Sequence, residues 1–247
     1  MQFLLSIAGW SGGNETPGAP RQDRLPPTLW MANFLTGMIV VTTAVQFLTG
    51  NHNFTNLSAE KAGLIKSEVR DGEYWRLITG CLMHGSILHI FFNGSALRGF
   101  GQNVEALGGR WVLPLVLLLS MISGSLFSLA VSPYDSVGAS GGILGLLGYL
   151  LIFAWKQKQI LPPGFGKDLL VNLGLVVLMG VLMHGMIDNW AHLGGFLMGA
   201  VIGLILIPFD LRRLMSGEPL GLQIAGKASL GALVLAAGFA SFKMLQS

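Results

Sequence analysis

DNWAHLGGFLMGAVIG, residues 188–203, carries no Asp, Glu, Lys or Arg after Asp188, and its glycines at 195, 199 and 203 recur every four residues. A four-residue period places all three on one face of a helix, where a ridge without side chains lets another backbone come close. His192 precedes Gly195 by three residues and Gly199 by seven, so its ring leaves the helix on that same face. A second stretch, SVGASGGILGLLGY at 136–149, has a comparable strip of Gly141, Gly145 and Gly148 beside Ser140. Two such strips packed together would bring the Ser140 hydroxyl to hydrogen-bond distance of His192, the arrangement that activates a serine.

The medium around these helices follows from composition. Hydrophobic residues make up 52% of the 247 and charged residues 11%, whereas soluble domains carry about 25% charged residues. The mean hydropathy is +0.63. Seven apolar segments run over 30–49, 82–103, 111–131, 139–155, 168–187, 190–208 and 223–243. Each is near the ~20 residues that span a hydrocarbon core of about 30 Å. The fourth is the shortest and is rich in glycine, as expected of a span sheltered by its neighbours. The seventh holds Lys227 near one end, where the ammonium can snorkel. The expectation is an all-α membrane protein in three parts: a flexible arm at 1–29, a six-span core at 30–210, and a connecting loop with a seventh span at 211–247. The opening MQFLLSIAGWSGG has no positive n-region and does not read as a cleaved signal peptide.

The formal charge of +3 is small and its basic residues sit in loops, which reads as topology signals rather than a nucleic-acid patch. Placing Arg21, Arg24, Arg98, Arg110, Lys156, Lys158, Lys167, Arg212 and Arg213 on one side makes the N-terminus cytoplasmic. The C-terminus, after seven spans, is then outside. The long loop 50–81 is the exception, with four basic residues balanced by four acidic ones. It reads as a part-structured interfacial element. A single cysteine, Cys81, excludes an intrachain disulfide and builds no metal cluster, and no cofactor is expected. Spans almost free of charge argue against a transporter or channel.

Spans two, four and six run from outside to inside in this topology. Ser140, His192, His89 and Asn93 therefore lie within about two helical turns of one membrane boundary. His89 and Asn93, at i and i+4 in HGSILHIFFN (84–93), share one face of span two and both can donate a hydrogen bond. The Ser140 amide, at a helix start, is a third donor. Together they compose an oxyanion hole. Structural roles compete with each assignment: Ser140 as a small packing residue, His192 as a satisfied interior histidine, His89 and Asn93 as interhelical glue. His84 reads as structural, Asp188 as a helix cap, Trp30 and Trp190 as interface anchors, and His184 is given no role.

These motifs resemble those of the rhomboid intramembrane proteases. GASG at 138–141 is similar to their GxSG motif, and AHLGGFLMG at 191–199 to their HxxGxxxG motif. HGSILHIFFN resembles their second span, Trp75-Arg76 their first-loop pair, and Glu105 their acidic residue at the end of that span. The resemblance covers about residues 30–210. It implies a six-helix rhomboid-like core, with Ser140 as nucleophile and His192 as base, and with His89 and Asn93 holding the oxyanion. Gly138, Gly141, Gly195, Gly199, Trp75 and Arg76 would be structural near the site. It also implies cleavage of single-span transmembrane partners near the outer surface, with lipid as the surroundings and a bacterial plasma membrane as the location. Leu144 departs from the family, many of whose members place Tyr or Phe there, beneath the histidine ring. The seventh span resembles the extra C-terminal helix of six-plus-one members. The alternative is a non-catalytic relative that binds transmembrane clients for trafficking or quality control.

Overall fold

The computed structural model describes residues 29–50, 60–183 and 185–246. Most of the expected arm at 1–29 lies outside them, as does His184. In chain order the helices are α1 (Trp30–Thr49), α2 (Lys66–Arg70), α3 (Arg76–Thr79, running into a 3-10 turn at Gly80–Leu82), α4 (Ile87–Gly108), α5 (Val112–Val131), α6 (Ser140–Lys156), α7 (Phe165–Leu182), α8 (Asn189–Leu206), α9 (Leu211–Met215) and α10 (Leu220–Leu245). Five of them, α1, α5, α7, α8 and α10, are long and apolar enough to cross a membrane. The pair 76–82 and 87–108, bent by 100° at the break between them, makes a sixth only where the two pieces are counted as one span. The protein is an all-α membrane protein.

The second apolar segment, expected over 82–103, is two pieces. Ser86 is extended and its hydroxyl accepts from the His89 amide, which starts a fresh helix at Ile87 and carries it to Gly108. The preceding turn is left as a separate element packed beside α5 and α10. In the long loop before it, Arg76 is buried. Its Nη1 donates to the carbonyls of Glu60 (2.8 Å) and Gly63 (2.9 Å), and its Nε pairs with Glu73.

The shortest span, α6, is the centre of the bundle: every residue from Gly141 to Leu150 is buried. Helices α8, α5, α4 and α7 surround it. Glycine makes the α6–α8 contact unusually close. A Cβ on Gly195 would collide with the Gly141 carbonyl, and one on Gly199 with that of Gly145. A stack of backbone against backbone fixes the relative height of the two helices, which no layer of flexible side chains would do.

Helix ends are capped from a distance. Glu105 on α4 accepts from the amides of Met31 (3.1 Å) and Ala32 (3.0 Å), so the family-like acidic residue caps α1. Glu218, just before α10, does the same for Trp111 (2.8 Å) and Val112 (3.2 Å) at the start of α5. Lys156 donates to the carbonyls of Leu204 (2.6 Å) and Ile207 (2.7 Å) at the end of α8, where a cation suits the helix dipole. The least enclosed crossing is α7, with 17% of its apolar window buried.

Candidate active site

Ser140 is the first residue of α6 and His192 the fourth of α8. The glycine stack sets their heights so that His192 Nε2 lies 2.8 Å from Ser140 Oγ. His192 Nδ1 is buried and has no hydrogen-bond partner among the described residues. With the ring proton on Nδ1, Nε2 is the acceptor and the serine hydroxyl donates. Such a contact is the geometric requirement for a serine activated by a base.

The donors stand opposite, across the loop that precedes α6. Gly138 has φ +130°, a left-handed value that disfavours any side chain. Its amide donates to Gly80 O at 3.0 Å. A Cβ at Gly138 would lie 2.8 Å from His89 Nε2 and 3.5 Å from Asn93 Nδ2. The space left by the missing side chain is therefore bordered by both donors. His89 Nδ1 accepts from the Gly85 amide (3.3 Å), which leaves the proton on Nε2, facing Gly138. Asn93 is buried and its Nδ2 has no acceptor among the described residues. A buried donor left unsatisfied costs about 1–3 kcal/mol, so an unmet N–H here points to an acceptor that arrives from elsewhere. The Ser140 amide, at the first position of α6, has no intrahelical partner either.

Residues 71–209 match the model of the Rhomboid domain. The chain belongs to the rhomboid family. Rhomboid protease GluP of Bacillus subtilis (strain 168) is 37% identical over 219 residues, 87% of this chain and 42% of that protein. RHOMBOID-like protein 4 of Arabidopsis thaliana is 36% identical over 150 residues, 58% of this chain and 36% of that protein. Putative rhomboid protease YdcA of Bacillus subtilis is 31% identical over 147 residues, 59% of this chain and 73% of that protein. The chain thus spans less than half the length of GluP and of RHOMBOID-like protein 4.

In this rhomboid the site is held in place by Asp188, the helix cap expected from the sequence, and by residues that the sequence motifs do not single out. Asp188 caps α8: its Oδ1 accepts from the Ala191 amide at 3.0 Å, and its Oδ2 accepts from the Ser128 hydroxyl of α5. Lys66 is buried and its Nζ donates to the carbonyls of Ser128 (2.9 Å) and Ser132 (2.6 Å), fastening α2 to the end of α5. Burial pushes the Lys66 ammonium below its ordinary value, while the Asp188 and Asp135 carboxylates pull it back up. The Ser123 hydroxyl donates to Gly194 O at 2.9 Å. One sequence signal was available for the serines, their spacing along α5 at 120, 123, 125 and 128. None marked Lys66.

His84 is fully buried, its backbone clamped in both directions by the Gln46 side chain and its Nδ1 placed 2.9 Å from Thr43 Oγ1. Its ring meets that of His89 edge-on at 5.0 Å. Leu144 is buried one turn along α6 from Ser140. A cavity of about 730 Å³ opens at this end of the bundle, lined among others by His89, Asp135, Val137, Asp188 and Trp190.

Proposed function

We propose that this rhomboid is an intramembrane serine endopeptidase that cuts single-span transmembrane proteins through a Ser140–His192 dyad. The observation that carries the reading is the 2.8 Å approach of His192 Nε2 to Ser140 Oγ across two helices in backbone contact. In the reaction Ser140 Oγ attacks the peptide carbonyl as its proton passes to His192 Nε2. The imidazolium then gives that proton to the leaving amine. His89 Nε2, Asn93 Nδ2 and the Ser140 amide receive the negative charge on the carbonyl oxygen. Water, deprotonated by the same ring, releases the acyl group from Ser140. Two copies of the exchange return the dyad to its starting protonation.

A helix in lipid has its backbone satisfied internally, so it must unwind locally to offer a carbonyl. Substrates with Gly, Pro or small residues near the top of the span fit this demand. Entry beside α4 and α7 is favoured by the loose packing of α7 and the exposed Phe91 and Phe92 on α4. The N-terminus is cytoplasmic, the site lies at the outer face, and the membrane is a bacterial plasma membrane. A non-catalytic client-binding role has no use for the Ser140–His192 contact.

The deciding experiment incubates the purified protein and its Ser140→Ala variant with a panel of single-span substrates in vesicles. The parent cleaves at least one and Ser140→Ala cleaves none; cleavage by neither, or equally by both, contradicts the proposal. The oxyanion donors have a separate signature. Asn93→Ala and His89→Ala each lower kcat about 100- to 1,000-fold with little change in KM. A kcat within threefold of the parent in either variant removes that residue from the hole.

A further inference from the structure

Helix α10 lies outside the residues that match the Rhomboid domain, and it supplies none of the polar groups of the site. One face of its last turns, Ala240 and Met244, is nevertheless buried. Ala240 and Met244 are fully buried in a small apolar cluster with Ala62 and Met83, against which Val45, Trp75 and Val137 also pack. Phe239 meets the Trp75 ring edge-on at 5.1 Å, and Lys243 Nζ stands 5.5 Å from the centre of the same ring. Arg76 lies 4.6 Å from it. Two of these partners adjoin the site: Val137 immediately precedes Gly138, and Met83 immediately precedes His84.

The loop that carries Gly138 has few other supports. Leu64 and Ser136 exchange backbone hydrogen bonds of 3.1 and 3.2 Å, and the Gly138 amide donates to Gly80 O. Both supports belong to the 60–82 segment, which is itself folded around Arg76 and so leans on Trp75 and α10. The apolar cluster therefore holds the Gly138 loop directly, through Val137, and indirectly, through Trp75. Gly138 needs that constraint, because its left-handed conformation and its close approach to His89 leave no slack.

We propose that residues 239–244 of α10 are a positioning element for the active site, fixing Gly138 against His89 and Asn93 through Trp75 and through the apolar cluster on which Val137 packs. The inference rests on the protease reading for its kinetic consequence but not for its structural one. A loosened loop misplaces the oxyanion donors relative to Ser140, and small displacements of this kind cost up to about 100-fold in rate.

The test uses the full chain in vesicles. Met244→Ala opens a gap in the cluster. Phe239→Ala, at a part-exposed position, serves as a milder second variant should the first not assemble. Leu233→Ala, fully buried on the same helix but in the main core, is the matched destabilising control, and lipid-facing Phe242→Ala the neutral one. Below all thermal midpoints, Met244→Ala lowers kcat about 10- to 100-fold with KM held within about twofold, and Met244→Leu restores it. Amide exchange in the 134–140 peptide accelerates in Met244→Ala and Phe239→Ala and not in Leu233→Ala. Should Met244→Ala and Phe239→Ala match Leu233→Ala in both kcat and exchange, the positioning role is overturned. A parent that cleaves nothing refutes the protease reading, while the exchange data still decide whether α10 holds the loop.

Discussion

His192→Ala is expected to lower kcat for a single-span substrate by at least about 10⁴-fold, with thermal midpoint and helical content close to the parent. The serine hydroxyl is a poor nucleophile until its proton has somewhere to go, and His192 Nε2 stands 2.8 Å from Ser140 Oγ. No carboxylate replaces the ring. Asp188, four residues earlier, has its two oxygens on the Ala191 amide and the Ser128 hydroxyl, and His192 Nδ1 has no partner among the described residues. On the proposed reading the base is oriented by its helix, with no acid bonded to it among the described residues. His192 is half-buried and contributes little packing, so folding should survive its loss. A kcat within tenfold of the parent would mean that another group takes the serine proton.

The second large effect concerns packing. Gly199→Ala is expected to destabilise the bundle by about 1–3 kcal/mol or more and to slow cleavage about 100-fold. The added methyl group would overlap the Gly145 carbonyl, an atom of α6 backbone that cannot rotate away. The helices must part or slide, and the Ser140–His192 contact lies on the same seam. Gly231→Ala in α10 is the comparison: nothing lies within 4 Å of its Cβ position, and alanine in a helix is favoured over glycine by about 1 kcal/mol. That variant should unfold at or above the parent's temperature with unchanged kcat. Thermal unfolding in micelles, read beside kinetics in vesicles, separates the two. Equal stability of Gly199→Ala and the parent would show that the α6–α8 seam is slack.

What the sequence reveals of this rhomboid is what repeats with a helical period. Gly195 and Gly199 declare a face at four-residue spacing, and the face proves to be the α6–α8 seam. His89 and Asn93, one turn apart, stand together beside Gly138. Contacts made by irregular backbone carry no period and stay hidden. Lys66 reaches the carbonyls of Ser128 and Ser132 from 62 and 66 residues away. Gln46 clamps His84 across 38. The break at Ser86 had a local signal, the His84-Gly85-Ser86 interruption between apolar residues, and the bond from the His89 amide to the Ser86 hydroxyl shows where the new helix starts. The proposed role of α10 is the extreme case, since α10 holds no motif and the burial of its Ala240 and Met244 with Ala62 and Met83 depends on how the whole bundle closes.

The central claim is that Ser140 is made nucleophilic by His192, and covalent capture tests it most directly. The parent, His192→Ala and Ser140→Ala are each exposed to a fluorophosphonate, and the adduct is located by peptide mass. The expected result is phosphonylation of Ser140 in the parent, loss of nearly all labelling in His192→Ala, and none at that peptide in Ser140→Ala. An unlabelled Ser140 in the parent, or labelling as fast in His192→Ala as in the parent, would contradict it.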